Sequence, residues 1–75
     1  MAKTSDEYYI FTFGWNQPHE NHYVKIFGSY KDAREKMVQK YGNRWSMQYE
    51  GKKWEQWEKE ESLHIPVENL LEVIE

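Results

Sequence analysis

The stretch YYIFTFGW, Tyr8–Trp15, decides the fold, because almost every position in it is apolar or aromatic. A strand with one solvated face alternates polar and apolar residues, so this run predicts a strand that is covered on both sides. We predict that the strand extends over Tyr8–Gly14 and lies in the middle of a small sheet.

Length and composition limit the class of protein. A chain of 75 residues forms one domain, residues 1–75, and its 17% aromatic content can fill a core that a short chain would otherwise lack. The absence of cysteine excludes disulfide scaffolds and cysteine-ligated zinc. The N-terminal residues MAKTSDE lack the apolar segment of a signal peptide, and no apolar run approaches a membrane span, so we expect a cytoplasmic location.

The rest of the chain predicts two more strands and two helices. Turn-forming residues 16–21 precede a β-branched and aromatic run, and Ser29 and Gly42 are typical caps on either side of a helical pattern. An alternating segment and a charged segment with two tryptophans one turn apart come next. These patterns predict, in order, a strand over His22–Gly28, a helix over Tyr30–Tyr41, a strand over Arg44–Glu50 and a helix over Lys52–Glu61.

Two readings remain for residues 67–74. Helical spacing relates Val67, Leu70, Leu71 and Ile74, but the run LLEVI is short and partly β-branched, as a strand would be.

These elements predict an α+β fold in ββαβα order. Strand–helix–strand connections are normally right-handed with parallel strands, so the third strand should run parallel to the second. If it lies beside the first strand, every neighbouring pair is antiparallel, and this arrangement, which agrees with the two apolar faces of the first strand, predicts a three-stranded antiparallel sheet of order 2-1-3. Both helices are expected on one face of this sheet. The residues expected beneath them are Phe11, Phe13, Val24, Ile26, Trp45 and Met47.

The opposite face is the candidate binding face. Aromatic rings interleaved with cations and amides are typical of single-stranded nucleic-acid platforms, whereas cover by the C-terminal segment from Leu63, by a second copy or by a protein partner is the alternative. The residues that define this face are Tyr8, Thr12, Tyr23, Lys25, Phe27, Arg44 and Gln48.

Other patterns do not predict a chemical site. His19 and His22 flank Glu20 in the first loop, but two histidines without a third ligand are typical of a solvated loop, so we predict no metal. The four glycines are isolated, which excludes a glycine-rich phosphate loop, and the glutamates of the second helix lie on an exposed face. We predict no catalytic residues, no cofactor and no enzymatic activity.

Three tracts resemble a family of short, uncharacterised proteins encoded in phages and prophages of Gram-positive bacteria. They are YIFTFG at Tyr9–Gly14, YVKIFGSYKDAREKM at Tyr23–Met37 and YGNRWSMQYEGKKWEQW at Tyr41–Trp57, about two-thirds of the chain. The tail from Ser62 lies outside the resemblance. The resemblance implies a shared fold and a phage-type origin, and it transfers no functional residues.

Two functions are therefore expected as alternatives. The first is a phage or prophage accessory protein that binds a protein partner, since rigid aromatic surfaces suit protein recognition. The second is a small module that binds single-stranded nucleic acid through the candidate binding face. The net charge of −3 favours the first, because the electrostatic attraction to phosphate is small.

Overall fold

The structure of the chain is a computed structural model that describes residues 7–14, 16, 19–63 and 65–75. Trp15, at the end of the opening stretch, and part of the predicted first loop lie outside the described residues. In chain order the elements are β1 (Tyr8–Thr12), β2 (Tyr23–Phe27), α1 (Tyr30–Tyr41), β3 (Met47–Glu50), α2 (Gly51–Lys59), a 3₁₀ turn (Val67–Asn69) and β4 (Leu70–Ile74).

The fold is α+β, with one four-stranded mixed sheet in the order β3-β1-β2-β4. β1 pairs antiparallel with β2 on one side and with β3 on the other, and β4 is parallel to β2. β1 is thus an inner strand, which agrees with its apolar residues on both faces. The predicted order 2-1-3 with antiparallel neighbours is confirmed for the first three strands. The prediction of a sheet with only three, all-antiparallel strands was wrong, because residues Leu70–Ile74 form a fourth strand that pairs in parallel with the outer edge of β2.

The strand interpretation of Leu70–Ile74 has a physical basis in its sequence. Leu71 and Ile74 pack against the core on the α1 side of the sheet, and only Val73 and Leu70 remain substantially exposed. The apolar residues of this segment therefore pack against the core as part of a strand that extends the sheet.

The helices cover opposite faces of the sheet, so the prediction that both lie on one face was wrong. Ala33 and Met37 of α1 pack on the face that carries Phe11 and Ile26. Trp54 of α2 packs on the other face in a separate cluster with Ile10 and Tyr23. An inner strand that is apolar on both sides needs both faces covered, and one helix on each side achieves this.

The predicted alternation through Arg44–Glu50 was also wrong. β3 begins only at Met47, so Trp45 lies before the strand and its side chain does not follow the alternation of faces along β3. Trp45 contacts Phe11 edge-on on the α1 side, with ring centroids 5.1 Å apart. Tyr49 lies opposite Ile10 on the α2 side, and Met47 is 49% exposed. Trp45 and Met47 were both expected beneath the helices, but Trp45 packs on the α1 side and Met47 lies at the surface.

The predicted bounds of α1 are confirmed at both ends. The Ser29 hydroxyl accepts a hydrogen bond from the backbone N–H of Asp32 at 3.2 Å. Gly42 ends the helix with a positive φ of 66°, and its N–H donates to the carbonyl of Val38. The second helix runs over Gly51–Lys59, one residue earlier at its start and two earlier at its end than predicted.

Candidate interaction surfaces

The predicted binding face is mostly covered by α2 and by the chain that follows it. Thr12 and Tyr23 are buried. The Tyr23 ring lies 5.0 Å from Trp54, and its hydroxyl donates to the carbonyl of Val67 at 2.6 Å. Burial raises the pKa of the Tyr23 phenol above its usual value. The Tyr23 ring is therefore part of the core beneath α2 and not of an exposed surface.

A smaller part of the predicted face stays at the surface as a stack of three side chains. The Lys25 ammonium lies 4.4 Å from the ring centre of Tyr8 and 5.2 Å from that of Phe27. The two rings are 5.4 Å apart and all three residues are half-buried. The Tyr8 hydroxyl donates to the Gly51 carbonyl and to the Glu55 carboxylate, and burial raises the pKa of its phenol. Tyr8 thereby connects this stack to α2.

Two predicted residues lie away from this face. Gln48 is opposite Phe11 on the α1 side, and its amide donates to the backbone carbonyl of Tyr30 at 3.2 Å. Arg44 is exposed in the connection before β3. The expectation that Gln48 shares a face with Tyr8 was wrong for the same reason as the predicted alternation: β3 starts later than expected.

An open groove on the α2 side is the larger of two further surfaces. We call it the aromatic groove and define it by Tyr49, Trp54, Trp57, Leu63 and Ile65. Its volume is about 610 Å³. The Tyr49 ring lies 5.4 Å from Trp57, nearly perpendicular to it, and 5.8 Å from Trp54. Polar residues at its margin are Glu20, Asn21 and Ser62. An apolar floor with a polar margin is the usual anatomy of a protein-binding surface.

A second surface lies on the α1 side, beside β3. We call it the arginine patch and define it by Tyr30, Arg34, Trp45, Met47 and Gln48. The Arg34 guanidinium lies 5.0 Å from the ring centre of Trp45. Its Nη1 donates to the Tyr30 hydroxyl and to the Gln48 side-chain oxygen, each at 3.4 Å. These residues line an open cavity of about 400 Å³.

Neither surface was predicted as a site from the sequence. Trp54 and Trp57 at helical spacing do indicate an aromatic edge on α2, but no pattern in the sequence relates them to Tyr49. Arg34 received no role, because its contact with Trp45 joins residues that no sequence periodicity relates. Both surfaces depend on the late start of β3, which the alternation in the sequence conceals.

The loop histidines have structural contacts. The His19 ring packs edge-on against Phe13 at 5.1 Å and against Tyr41 at 5.7 Å. Nδ1 of His22 lies 3.0 Å from the carbonyl oxygen of Glu20. Across residues 7–14, 16, 19–63 and 65–75, no group of three or more histidine, cysteine, aspartate or glutamate side chains is arranged to hold a metal ion.

Comparisons with protein-family models, with curated proteins and with solved structures found no significant match to this chain. In the part of the chain that the structure describes, neither helix has the length and apolar character needed to cross a membrane.

Proposed function

We propose that this chain acts by binding a protein partner, and that the aromatic groove is the contact surface. The observation that carries the proposal is the cluster of Tyr49, Trp54 and Trp57 around an open groove of about 610 Å³. Tryptophan and tyrosine contribute most to binding energy at protein interfaces, because they bury a large area with few rotatable bonds.

The position of each ring supports this role. Trp54 is almost completely buried and fixes the floor, whereas Trp57 and Tyr49 are half-buried and offer ring surface to a partner. Leu63 and Ile65, which are also half-buried, extend the apolar surface beyond α2. Because the core already holds these side chains, a partner would immobilise little of this surface on binding.

The proposal is non-enzymatic. The carboxyl of Glu72 has a lowered pKa, because the Tyr41 hydroxyl and the Lys40 ammonium hydrogen-bond to it. These contacts hold the Glu72 carboxyl in a structural ion pair with Lys40. The Glu55 carboxylate accepts the hydrogen bond of Tyr8 and has a similar structural use.

We also propose a phage or prophage origin, with a cytoplasmic place of action. The support for this origin is the resemblance in Tyr9–Gly14, Tyr23–Met37 and Tyr41–Trp57. The third tract contains all three aromatic residues of the groove, whereas Leu63 and Ile65 lie in the tail beyond it. Under this proposal the partner is a host or phage protein.

The test is capture of a partner from bacterial lysate by the tagged full chain and by two matched variants. Trp57→Ala removes exposed ring surface from the groove, and Val38→Ala removes an exposed apolar side chain from α1 on the other side of the sheet. We expect a protein that the wild type and Val38→Ala retain and that Trp57→Ala loses at least tenfold. Circular dichroism should show that both variants are folded.

Two outcomes would contradict the proposal. One is a lysate from which the folded wild type retains no specific protein. The other is a retained protein that Trp57→Ala binds as tightly as the wild type, since the groove would then not be the contact surface.

Single-stranded nucleic acid is the second candidate ligand, and the stack of Tyr8, Lys25 and Phe27 favours it. A cation between two partly exposed rings can meet a phosphate and a base together. Because Tyr23 is buried, the informative variant is Lys25→Ala, which should weaken binding of a short oligothymidylate at low salt. Absence of binding at low salt and high protein concentration would exclude this function.

A further inference from the structure

Arg34 is held in a fixed position at the surface by uncharged neighbours. Its guanidinium stacks on Trp45, whose ring is itself fixed against Phe11 and donates its N–H to the carbonyl of Gly42 at 3.0 Å. The two hydrogen bonds from Nη1, to Tyr30 and Gln48, are long at 3.4 Å. Most of the five guanidinium N–H donors therefore remain available for a ligand.

The charge of Arg34 is not neutralised within the described residues. The only ion pair among them joins Lys40 to Glu72, so no carboxylate of the described chain lies within 4.0 Å of Arg34. The surrounding segment, residues 28–50, carries five basic and three acidic side chains. An unpaired, oriented guanidinium in a mildly basic region attracts an anion.

The cavity beside Arg34 is lined by polar as well as aromatic residues. It has a volume of about 400 Å³ and includes Asn43 and Ser46 in its lining. Tyr30 and Met47 flank it and are 52% and 49% exposed. Arginine, tyrosine, tryptophan and methionine are enriched at protein–protein interfaces.

We propose that the arginine patch binds the carboxylate of an aspartate or glutamate in an acidic segment of a partner protein. The guanidinium receives the carboxylate through paired N–H donors, and Tyr30 and Met47 contact the apolar residues beside it. Charge complementarity selects the ligand class. A single guanidinium on a chain of net charge −3 suits one carboxylate better than a polyphosphate backbone, which gains its affinity from many cations.

This site is separate from the aromatic groove. Gln48 of the patch is opposite Phe11 and Tyr49 of the groove is opposite Ile10, and the two cavities have no lining residue in common. The arginine patch therefore does not depend on the proposed function of the groove, and each can fail alone.

The experiment is an NMR titration of the full chain with two short peptides, Ac-Leu-Glu-Phe-NH2 and its uncharged isostere Ac-Leu-Gln-Phe-NH2. The signals to follow are the Arg34 side-chain N–H and the Trp45 indole N–H. We expect saturable shifts of both with the glutamate peptide, and at least fivefold weaker binding of the glutamine peptide. Arg34→Gln should abolish the shift at Trp45, and Arg34→Lys should weaken binding at least threefold, because lysine lacks the paired donors.

Controls separate this site from the groove and from nucleic acid. Trp57→Ala should bind the glutamate peptide as the wild type does. Equal binding of both peptides, or glutamate-peptide shifts that persist in Arg34→Gln, would overturn the proposal, as would saturation without any change at Arg34 and Trp45. An oligothymidylate that shifts the same two signals at lower concentration than the glutamate peptide would replace the acidic protein segment with nucleic acid as the ligand.

Discussion

At the scale of single residues, Gly51 explains how α2 lies so close to the sheet. The Tyr8 ring packs directly on this glycine, and a Cβ placed there would lie 2.5 Å from two of the ring carbons. The ring cannot easily move aside, because its hydroxyl binds α2 and its face contacts Lys25. The N-cap of α2 is Glu50, so Gly51 is the first residue of the helix, and any side chain at this position would meet the Tyr8 ring.

Gly51→Ala should therefore destabilise the protein by about 1–3 kcal/mol, as an overpacked contact does, despite the better helix propensity of alanine. Urea denaturation measures the change, with the exposed Lys52→Ala as the control. In a Tyr8→Leu background the cost of Gly51→Ala should fall to near zero. An unchanged cost in that background would show that the Tyr8 ring is not the cause.

At the scale of elements, β4 is held by side chains of α1 as well as by its pairing with β2. The Tyr41 hydroxyl donates to one oxygen of Glu72 at 2.5 Å, and the Lys40 ammonium donates to the other at 2.9 Å. Burial together with the hydrogen bond to Glu72 raises the pKa of Tyr41 to about 12. Side-chain hydrogen bonds thus connect the last turn of α1 to the edge strand β4.

Glu72→Gln should destabilise the protein by about 1 kcal/mol at pH 7. This is less than the roughly 1.5–3 kcal/mol usual for hydrogen bonds to charged groups, because Lys40 is half exposed and water screens the pair. The two hydrogen bonds hold the pKa of Glu72 in the folded state below its usual value of 4.5. The contribution of its ionised form is therefore complete above about pH 4.5 and is lost as the pH falls through the folded pKa. Urea denaturation of both proteins from pH 7 to pH 3 should show the difference shrinking toward acid. A difference that stays constant over this range would contradict the role of ionised Glu72.

The same elements show where sequence patterns were sufficient. α1 was predicted to the residue, because its capping residues and helical spacing are local signals. β3 was misjudged, because Trp45 and Met47 are two residues apart and match an alternation that begins only after Trp45. For β4, the sequence did not distinguish a helix from a strand. Its five residues are apolar or charged and have no local feature that separates pairing with β2 from helical packing.

At the scale of the whole molecule, the two covered faces could not be read from the sequence. The apolar character of β1 on both sides was a correct indication that both faces need cover. α2 begins at Gly51, directly after β3, and a side chain at this position would meet the Tyr8 ring. The candidate site was misplaced because the second helix was predicted on the same face as the first. With the second helix predicted on the wrong face, Tyr23 was expected to be exposed, whereas in the structure Trp54 covers it.

A domain with two cores should lose stability as one unit when either core is damaged. Trp54→Ala removes the ring that contacts both Tyr23 and Tyr49, and Met37→Ala removes a fully buried side chain from the α1 core. We expect losses of about 3–5 kcal/mol and about 2–5 kcal/mol, a large share of the total for a domain of this size. Thermal unfolding measures both losses, and the half-buried Trp57→Ala should cost less.

Amide hydrogen exchange distinguishes one cooperative unit from a sheet with a detachable layer. β1 contributes Phe11 to one core and Ile10 to the other, so its amides should lose protection in both variants by the amount of the global destabilisation. If Trp54→Ala accelerated exchange only within α2, then α2 would open independently of the sheet. The aromatic groove would then be a mobile surface and not the preformed one on which the proposed protein recognition depends.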